Sequence, residues 1–439
     1  MKNNNKLETM PINKLVWNIS FPLMISMLVQ SLYNIVDGIF VAKINENALT
    51  STSLAYPIQM LIVAVSVGTG VGVNALLSKT LGQKDNEKVK QVANNGLFSA
   101  FIGCVPFVIL GIFAVKPFLS LYTDNAEILS NATSYLKICT LFSLGIFIAT
   151  TGERCLQSTG KTWLSMIAQT SGALCNIILD PIFIFSLKMG VKGAAIATVI
   201  GQWLAGFTAI FLNAKFNKAV PIKINEFKVN GSILKDIYKV GLPTMIMQAC
   251  GSLMVLSMNK LLYAFSSTAV AFFGVYYKLQ NFLYMPLNGL AQSLIPIVGY
   301  NFGAKHNERI KQSYNVTVRR ACIIMLLGTI IFITFPKTLL GFFSAGSEMI
   351  EIGVPALRTI SLSFVFTGIT VVTGYYFSGL GNGVVNMVST LLRQLVILIP
   401  VVYILATSLG INATWYAFII AEAIACIFAL CIFKRKKFS

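Results

Sequence analysis

Four acidic side chains stand inside long apolar runs of this 439-residue sequence: Asp37, Glu153, Asp180 and Glu422, of fifteen acids in all. An acid near the centre of a membrane-spanning helix costs about 2.5–3.5 kcal/mol on insertion scales, so such residues point to function by default. Asp180 lies in Leu174-Cys-Asn-Ile-Ile-Leu-Asp-Pro-Ile-Phe183. Asn176 and Asp180 are four residues apart and share a helix face. Pro181 lacks an N–H and its ring repels the carbonyl four residues back, which frees the Ile177 carbonyl beside the same patch. A carboxylate, an amide oxygen and a free carbonyl suit Na+, while a carboxyl in an apolar bundle also serves to take up and release H+. The residues leave that choice open, and they leave open a purely structural tie between helices.

Asp37 sits in Tyr33-Asn-Ile-Val-Asp-Gly38, with no Lys or Arg in the two preceding turns. Glu153 is beside Arg154 and near Lys161, and Glu422 reads as structural. In the second half Lys260, Lys278 and Arg393 are the candidate buried cations. Gln30 falls one turn before Asn34 and is a polar exception on its helix. Tyr33, Tyr56, Tyr276, Tyr277, Tyr284, Tyr375 and Tyr376, with Met27, Met60 and Met285, are the stock from which an adaptable cavity would be lined. Aromatic faces attract organic cations, and Met repacks around varied shapes.

The elements that must position these residues follow from composition. Apolar residues make up 56% and charged residues only 11%, against about 25% charged in a soluble domain. Runs near 14–42, 52–78, 92–115, 135–157, 164–186 and 193–214 are each long enough to span a bilayer. A Lys-rich stretch, 215–236, follows. Six more runs lie near 237–264, 271–300, 317–336, 356–378, 388–408 and 413–433. The expected architecture is an all-α membrane protein of twelve transmembrane helices in two pseudo-symmetric six-helix lobes. An N-terminal tail (1–13), an N-lobe (14–214), a linker (215–236), a C-lobe (237–433) and a basic tail (434–439) divide the chain.

The net charge of +19 reports topology rather than nucleic acid. Alternate loops collect the cations: Lys79, Lys84, Lys88 and Lys90; then Lys215, Lys218, Lys223, Lys228, Lys235 and Lys239. The series continues with Lys305, Arg309, Lys311, Arg319 and Arg320, and ends on Lys434-Arg-Lys-Lys437. The positive-inside rule then places both termini and the linker in the cytoplasm, in a cytoplasmic membrane.

The halves repeat. Gly82-Gln-Lys-Asp-Asn-Glu-Lys-Val-Lys-Gln91 and Gly303-Ala-Lys-His-Asn-Glu-Arg-Ile-Lys-Gln312 share six of ten residues at a shift of 221, as from Gly82 to Gly303. The same shift pairs Pro22 with Pro243, Lys137 with Arg358, and Gly160 with Gly381. Two parallel halves about an axis along the membrane normal are a common transporter plan. Asp37 pairs with Met258, so the halves share a scaffold but not a site.

Several chemistries are not signalled. The eight cysteines form no Cys-x-x-Cys pair, so neither a zinc site nor a disulfide framework is expected. His306, the only histidine, is in a polar loop. Gly160-Lys161-Thr162 ends like a phosphate-binding loop, but Cys155 stands where its first glycine is needed. No cofactor and no intramembrane nucleophile–base pair is expected, hence no enzyme.

With these residues in view the sequence resembles the multidrug and toxic compound extrusion (MATE) family. The resemblance spans the chain and rests on Tyr33-Asn-Ile-Val-Asp37, Asn176-Ile-Ile-Leu-Asp180-Pro181, Gly193-Ala-Ala-Ile-Ala-Thr198, Ile297-Val-Gly-Tyr-Asn-Phe-Gly-Ala304 and Gly379-Leu-Gly-Asn-Gly383. It implies a V-shaped outward-open state and export of small organic, often cationic, compounds driven by inward Na+ or H+. The family's N-lobe cation site carries over to Asp37, Asn176, Asp180 and Thr198. Met27, Gln30, Tyr33, Asn34 and Glu153 are the implied substrate contacts, Glu153 resembling an acid of a bacterial subgroup that exports cationic drugs. Some relatives carry acids on the seventh and tenth helices; here Asp236 and Glu351 fall at or outside their ends, so the N-lobe site is expected alone. The chain is expected to work as a monomer in the lipid bilayer, without nucleic acid. The rival readings are a flippase of lipid-linked oligosaccharide and a channel.

Overall fold

A computed structural model describes residues 6–222, 227–343 and 346–435; Lys223, Lys436 and Lys437 of the cation series lie outside the described residues. A short α1 (Lys6–Thr9) precedes α2 (Ile12–Ala42), α3 (Glu46–Gly82), α4 (Asn86–Phe113) and α5 (Val115–Leu119). Then come α6 (Ala126–Leu141), α7 (Leu144–Ser158), α8 (Thr162–Pro181), running on into a π-helical turn (Ile182–Ser186), and α9 (Gly190–Phe216). The second half holds α10 (Gly231–Tyr263), α11 (Ser267–Gln292), α12 (Leu294–Gly303), α13 (Asn307–Thr334), α14 (Pro336–Gly341) and α15 (Ser347–Ser361). It ends with α16 (Phe364–Gly379), α17 (Gly383–Leu391) with a π-helical turn (Leu392–Val396), α18 (Leu398–Leu409), α19 (Ile411–Thr414) and α20 (Tyr416–Arg435).

Among the described residues ten stretches are long and apolar enough to cross a membrane. Two further spans are bent pairs, α6 with α7 at 44° and α15 with α16 at 49°, which brings the count to twelve. The bent pairs start 221 residues apart, at Ala126 and Ser347. Side-chain caps set several starts: Asn45 accepts from the Ala48 N–H at 2.7 Å, Asp85 from Lys88 at 3.0 Å and Asn230 from Ser232 at 3.0 Å, as expected of Asn and Asp at that position. Helix therefore enters the expected linker from both sides, through Phe216 and from Gly231. Outer faces carry exposed Ile109, Phe113, Phe207 and Phe211, the surface a lipid solvent requires.

The lobes meet along the second half of α3, which packs on α10 and α12, and the contact obeys the sequence repeat. A Cβ on Gly82 would overlap the Tyr300 carbonyl oxygen, and one on Gly303 the Lys79 carbonyl oxygen. Residues 82 and 303, and 79 and 300, are repeat mates. Gly68 against Met245 and Gly289 against Met24 form a second mated pair, and Ser78 touches its own mate Gly299. The interface is isologous, as a two-fold axis demands. At the opposite end the lobes diverge: nothing lies within 4 Å of a Cβ built on Gly38 or Gly274.

The chain ahead of α2 straps the closed end. The Tyr300 hydroxyl donates to Glu8 Oε2 at 2.9 Å, and Lys84 Nζ to Glu8 Oε1 at 3.3 Å. Arg309 Nη2 donates to the Leu7 and Met10 carbonyls at 3.0 and 2.8 Å. Glu8 thus joins a loop of one lobe to a helix of the other. The Tyr300 hydrogen bond, helped by Lys84, holds the Glu8 carboxyl below its ordinary range. A lowered acid contributes its contact above the ordinary carboxylate range and loses it as pH falls through the lowered value. Glu8→Gln should therefore free the strap at neutral pH: amide exchange of residues 6–10 speeds up about five-fold, the worth of one net hydrogen bond. Unchanged exchange would show that the remaining contacts, those of Arg309 and Asn301 among them, hold the segment without Glu8.

Candidate functional site

Asp37 near the end of α2 and Asp180 near the end of α8 meet inside the first lobe, with their side chains in hydrogen-bonding reach of each other. Asp180 is fully buried and Asp37 half-buried. The hydrogen-bond network assigns the Asn176 amide so that its nitrogen donates to Asp180 Oδ2 at 3.0 Å and its oxygen accepts from the Thr198 N–H at 3.1 Å. The Tyr33 hydroxyl reaches Thr198. On the far side Asp37 Oδ1 is buried with no partner among the described residues. Gln59 donates to the nearby Tyr135 hydroxyl at 3.0 Å rather than to Asp37. Two carboxylates this close repel unless a proton or a cation sits between them. Asp37, Asn176, Asp180 and Thr198, singled out in the sequence, are thus one cluster. The π-helical turn from Ile182 follows Pro181 directly, so the helix runs on past the proline in altered register.

A cavity of about 240 Å³ opens beside this cluster. Met27, Gln30, Tyr33, Asn34 and Glu153 all line it, and Tyr33, Asn176 and Thr198 belong to both cluster and cavity. Gln30 accepts from Gln169 Nε2 at 3.2 Å. Of the larger aromatic and methionine set only Tyr33, Met27 and Met60 are in this wall. Tyr276 and Tyr376 are instead buried in the second lobe's core, and Tyr284 donates to Thr367 at 3.2 Å. The cavity floor was not foreseen: Arg154 Nη1 donates to Gln157 Oε1 at 2.9 Å and to Gln292 Oε1, from the other lobe, at 2.7 Å.

The second lobe answers the cluster differently. Arg393 Nη1 donates to Glu422 Oε1 at 2.9 Å, both side chains nearly fully buried. Their repeat mates are Gly172 and Gly201, whose backbones pack directly on each other. One helix pair is closed by glycines in one lobe and by an ion pair in the other. Lys260 and Lys278 are exposed, Lys278 lying over the Phe343 ring at 6.0 Å. Removing one partner of a buried ion pair costs about 3–5 kcal/mol, while removing both is far milder. Arg393→Met should lower the unfolding midpoint in detergent sharply, and adding Glu422→Leu should recover most of the loss. Equal midpoints for all three proteins would deny the pair any structural weight.

A two-lobed bundle of twelve spans with polar groups clustered inside one lobe is a plan found among membrane transport proteins. The MatE family profile matches residues 22–182 and 243–404, one match per lobe, and the chain belongs to that family. It is 26% identical over 432 residues to the multidrug export protein MepA of Staphylococcus haemolyticus (strain JCSC1435), covering 97% of this chain and 94% of that one. MepA of Staphylococcus aureus (strain MSSA476) is 26% identical over 436 residues, at the same coverage. Among solved structures, an outward-facing multidrug resistance MATE transporter superposes with a TM-score of 0.93 at 27% identity, over 99% of this chain and 98% of that one. A transporter of the same superfamily from Pyrococcus furiosus superposes at 0.92 with 27% identity and the same coverage.

Proposed function

We propose that the protein is a multidrug efflux antiporter that exports small organic, often cationic, compounds in exchange for inward H+ or Na+. The observation that carries this reading is the sharing of Tyr33, Asn176 and Thr198 between the carboxylate cluster and the cavity. A cation that neutralises Asp37 and Asp180 acts on side chains that also form the drug's wall. Ion and drug then favour different arrangements of α2 against α8 and α9, which is what exchange requires. The N-lobe site works alone, Asp37, Asn176, Asp180 and Thr198 holding the cation. Met27, Gln30, Tyr33, Asn34 and Glu153 contact the drug.

The chain sits in the cytoplasmic membrane as a monomer with both termini cytoplasmic, so the strapped end is the inner gate. The cation-rich loops support this orientation. The MepA relatives carry export in their names, and this supports the substrate class. A lipid-linked oligosaccharide would need a broadly cationic cavity; this one holds Arg154 beside Glu153.

The test is uptake of a fluorescent organic cation into proteoliposomes under a pH gradient or a Na+ gradient imposed separately. One gradient drives accumulation against the dye's own gradient if the reading is right. Dye movement that ignores both gradients contradicts it.

A further inference from the structure

Two seams between the lobes reach the strapped end, and the repeat makes them mates. In one, the start of α2 lies between α8 of its own lobe and α13 of the other; in its mate, the start of α10 lies between α17 and α4. The mates of Trp17, Phe21, Trp163 and Arg320 are Tyr238, Leu242, Val384 and Ser99. The second seam closes on itself, the Tyr238 hydroxyl donating to the Ser99 carbonyl at 3.4 Å. Asp85, Glu87 and Asp236 surround a cavity there, beside Lys88.

The first seam is built otherwise. Trp17, Phe21 and Trp163 form one lane of rings, with successive centroids 5.5 and 6.0 Å apart. The lane is open, Trp17 being 50% and Trp163 43% exposed. It runs from α8 across α2, and Arg320 of α13 stands over the Trp17 ring at 5.7 Å. Arg320 Nη2 donates to the Asn13 carbonyl at 2.9 Å, while Nη1 is buried with no partner among the described residues. Lys14 is exposed on the same face of α2 as Trp17, and it makes no hydrogen bond or ion pair among the described residues. Trp at headgroup depth is usual in a membrane protein. What this seam adds is a pair of cations with unmatched donors at one end of the lane. An unmet buried donor is costly, basic pockets between spans bind anionic headgroups, and the guanidinium fork suits phosphate.

We infer that this seam is a binding site for one anionic phospholipid. Arg320 and Lys14 receive the phosphodiester, and the glycerol and upper acyl chain lie along Trp17, Phe21 and Trp163. Its contacts come from both lobes, so a bound lipid joins them at the strapped end. The assignment does not depend on which compounds the protein exports.

The experiment titrates the full-length protein in detergent with phosphatidylglycerol or phosphatidylcholine, and native mass spectrometry counts the bound lipid. We expect the first phosphatidylglycerol to bind about ten-fold more tightly than the first phosphatidylcholine. Arg320→Gln weakens that first phosphatidylglycerol about ten-fold, the worth of a charge-assisted hydrogen bond. Lys14→Gln weakens it about five-fold, and this variant carries the test if Arg320→Gln does not fold. Lys337→Gln, which removes an exposed cation at the other end of α13, leaves it at the wild-type value. Equal wild-type affinities for the two lipids overturn the inference. So does an unchanged affinity in both Arg320→Gln and Lys14→Gln, or an equal loss in Lys337→Gln. Displacement of the lipid by inorganic phosphate at equal concentration overturns it too, because the site then reads a free anion and the rings have no part in it.

Discussion

Asp180→Asn lowers gradient-driven export about 5–150-fold while the protein still folds. The substituted amide keeps the shape of the carboxyl and a polar partner for Asn176, which lies 3.0 Å from Asp180 Oδ2. What it removes is the charge that, in the proposed antiport, a coupling cation neutralises. Coupling free energies between sites run about 1–3 kcal/mol, so exchange weakens by about 5–150-fold when one is erased. Asp37→Asn has the same consequence, because the two carboxyls face each other as one unit. The double variant is accordingly no worse than either single one, the non-additivity of residues that share a site. Flux assays on the three variants at one protein density check this. Wild-type rates in Asp180→Asn, or singles whose losses add in the double variant, would remove the cluster from the mechanism.

The second large effect is at the strapped end, the inner gate of the proposed orientation. Gly82 and Gly303 each admit a carbonyl oxygen of the opposite lobe where a Cβ would stand. Overpacking costs about 1–3 kcal/mol, and here the cost falls only on the closed arrangement of the strapped end. Gly82→Ala therefore shifts the population toward an opening of the strapped end by about 5–150-fold. Gly303→Ala, its mate, does the same. Spin labels at the exposed mates Glu87 and Glu308 report the separation of the lobes at that end. The wild type gives one short distance, and each variant adds a longer population. Distance distributions that do not move would mean that the glycine contacts yield without opening the gate.

Much of this was legible in the sequence, for definable reasons. Spans announce themselves because lipid tolerates only helices that satisfy their own backbone. The repeat at 221 residues anticipated more than topology: it dictates which residues meet across the axis, as Gly82 with Tyr300 and Gly303 with Lys79. The acids could be singled out because charge inside an apolar run is expensive. The bends in α6–α7 and α15–α16 left little trace, since the break at Phe142–Ser143 carries neither Pro nor Gly. The Arg393–Glu422 pair joins residues of different helices at positions whose mates are glycines, so the repeat gave no hint of it. Arg154 stayed hidden for a related reason. The sequence singles out its neighbour Glu153 as an acid, but nothing in it shows that Arg154 turns its Nη1 toward Gln157 and Gln292. Cross-helix partners need the packing, which no periodicity encodes.

Exchange is tested most directly by running it backwards. Proteoliposomes are loaded with a pH-sensitive or Na+-sensitive reporter and given dye on one side only, with no ion gradient. Dye moving down its gradient should drive H+ or Na+ the opposite way in the wild type, and not in Asp180→Asn. Dye movement unaccompanied by either ion would contradict the antiport reading, leaving a facilitator whose intramembrane acids serve some other end.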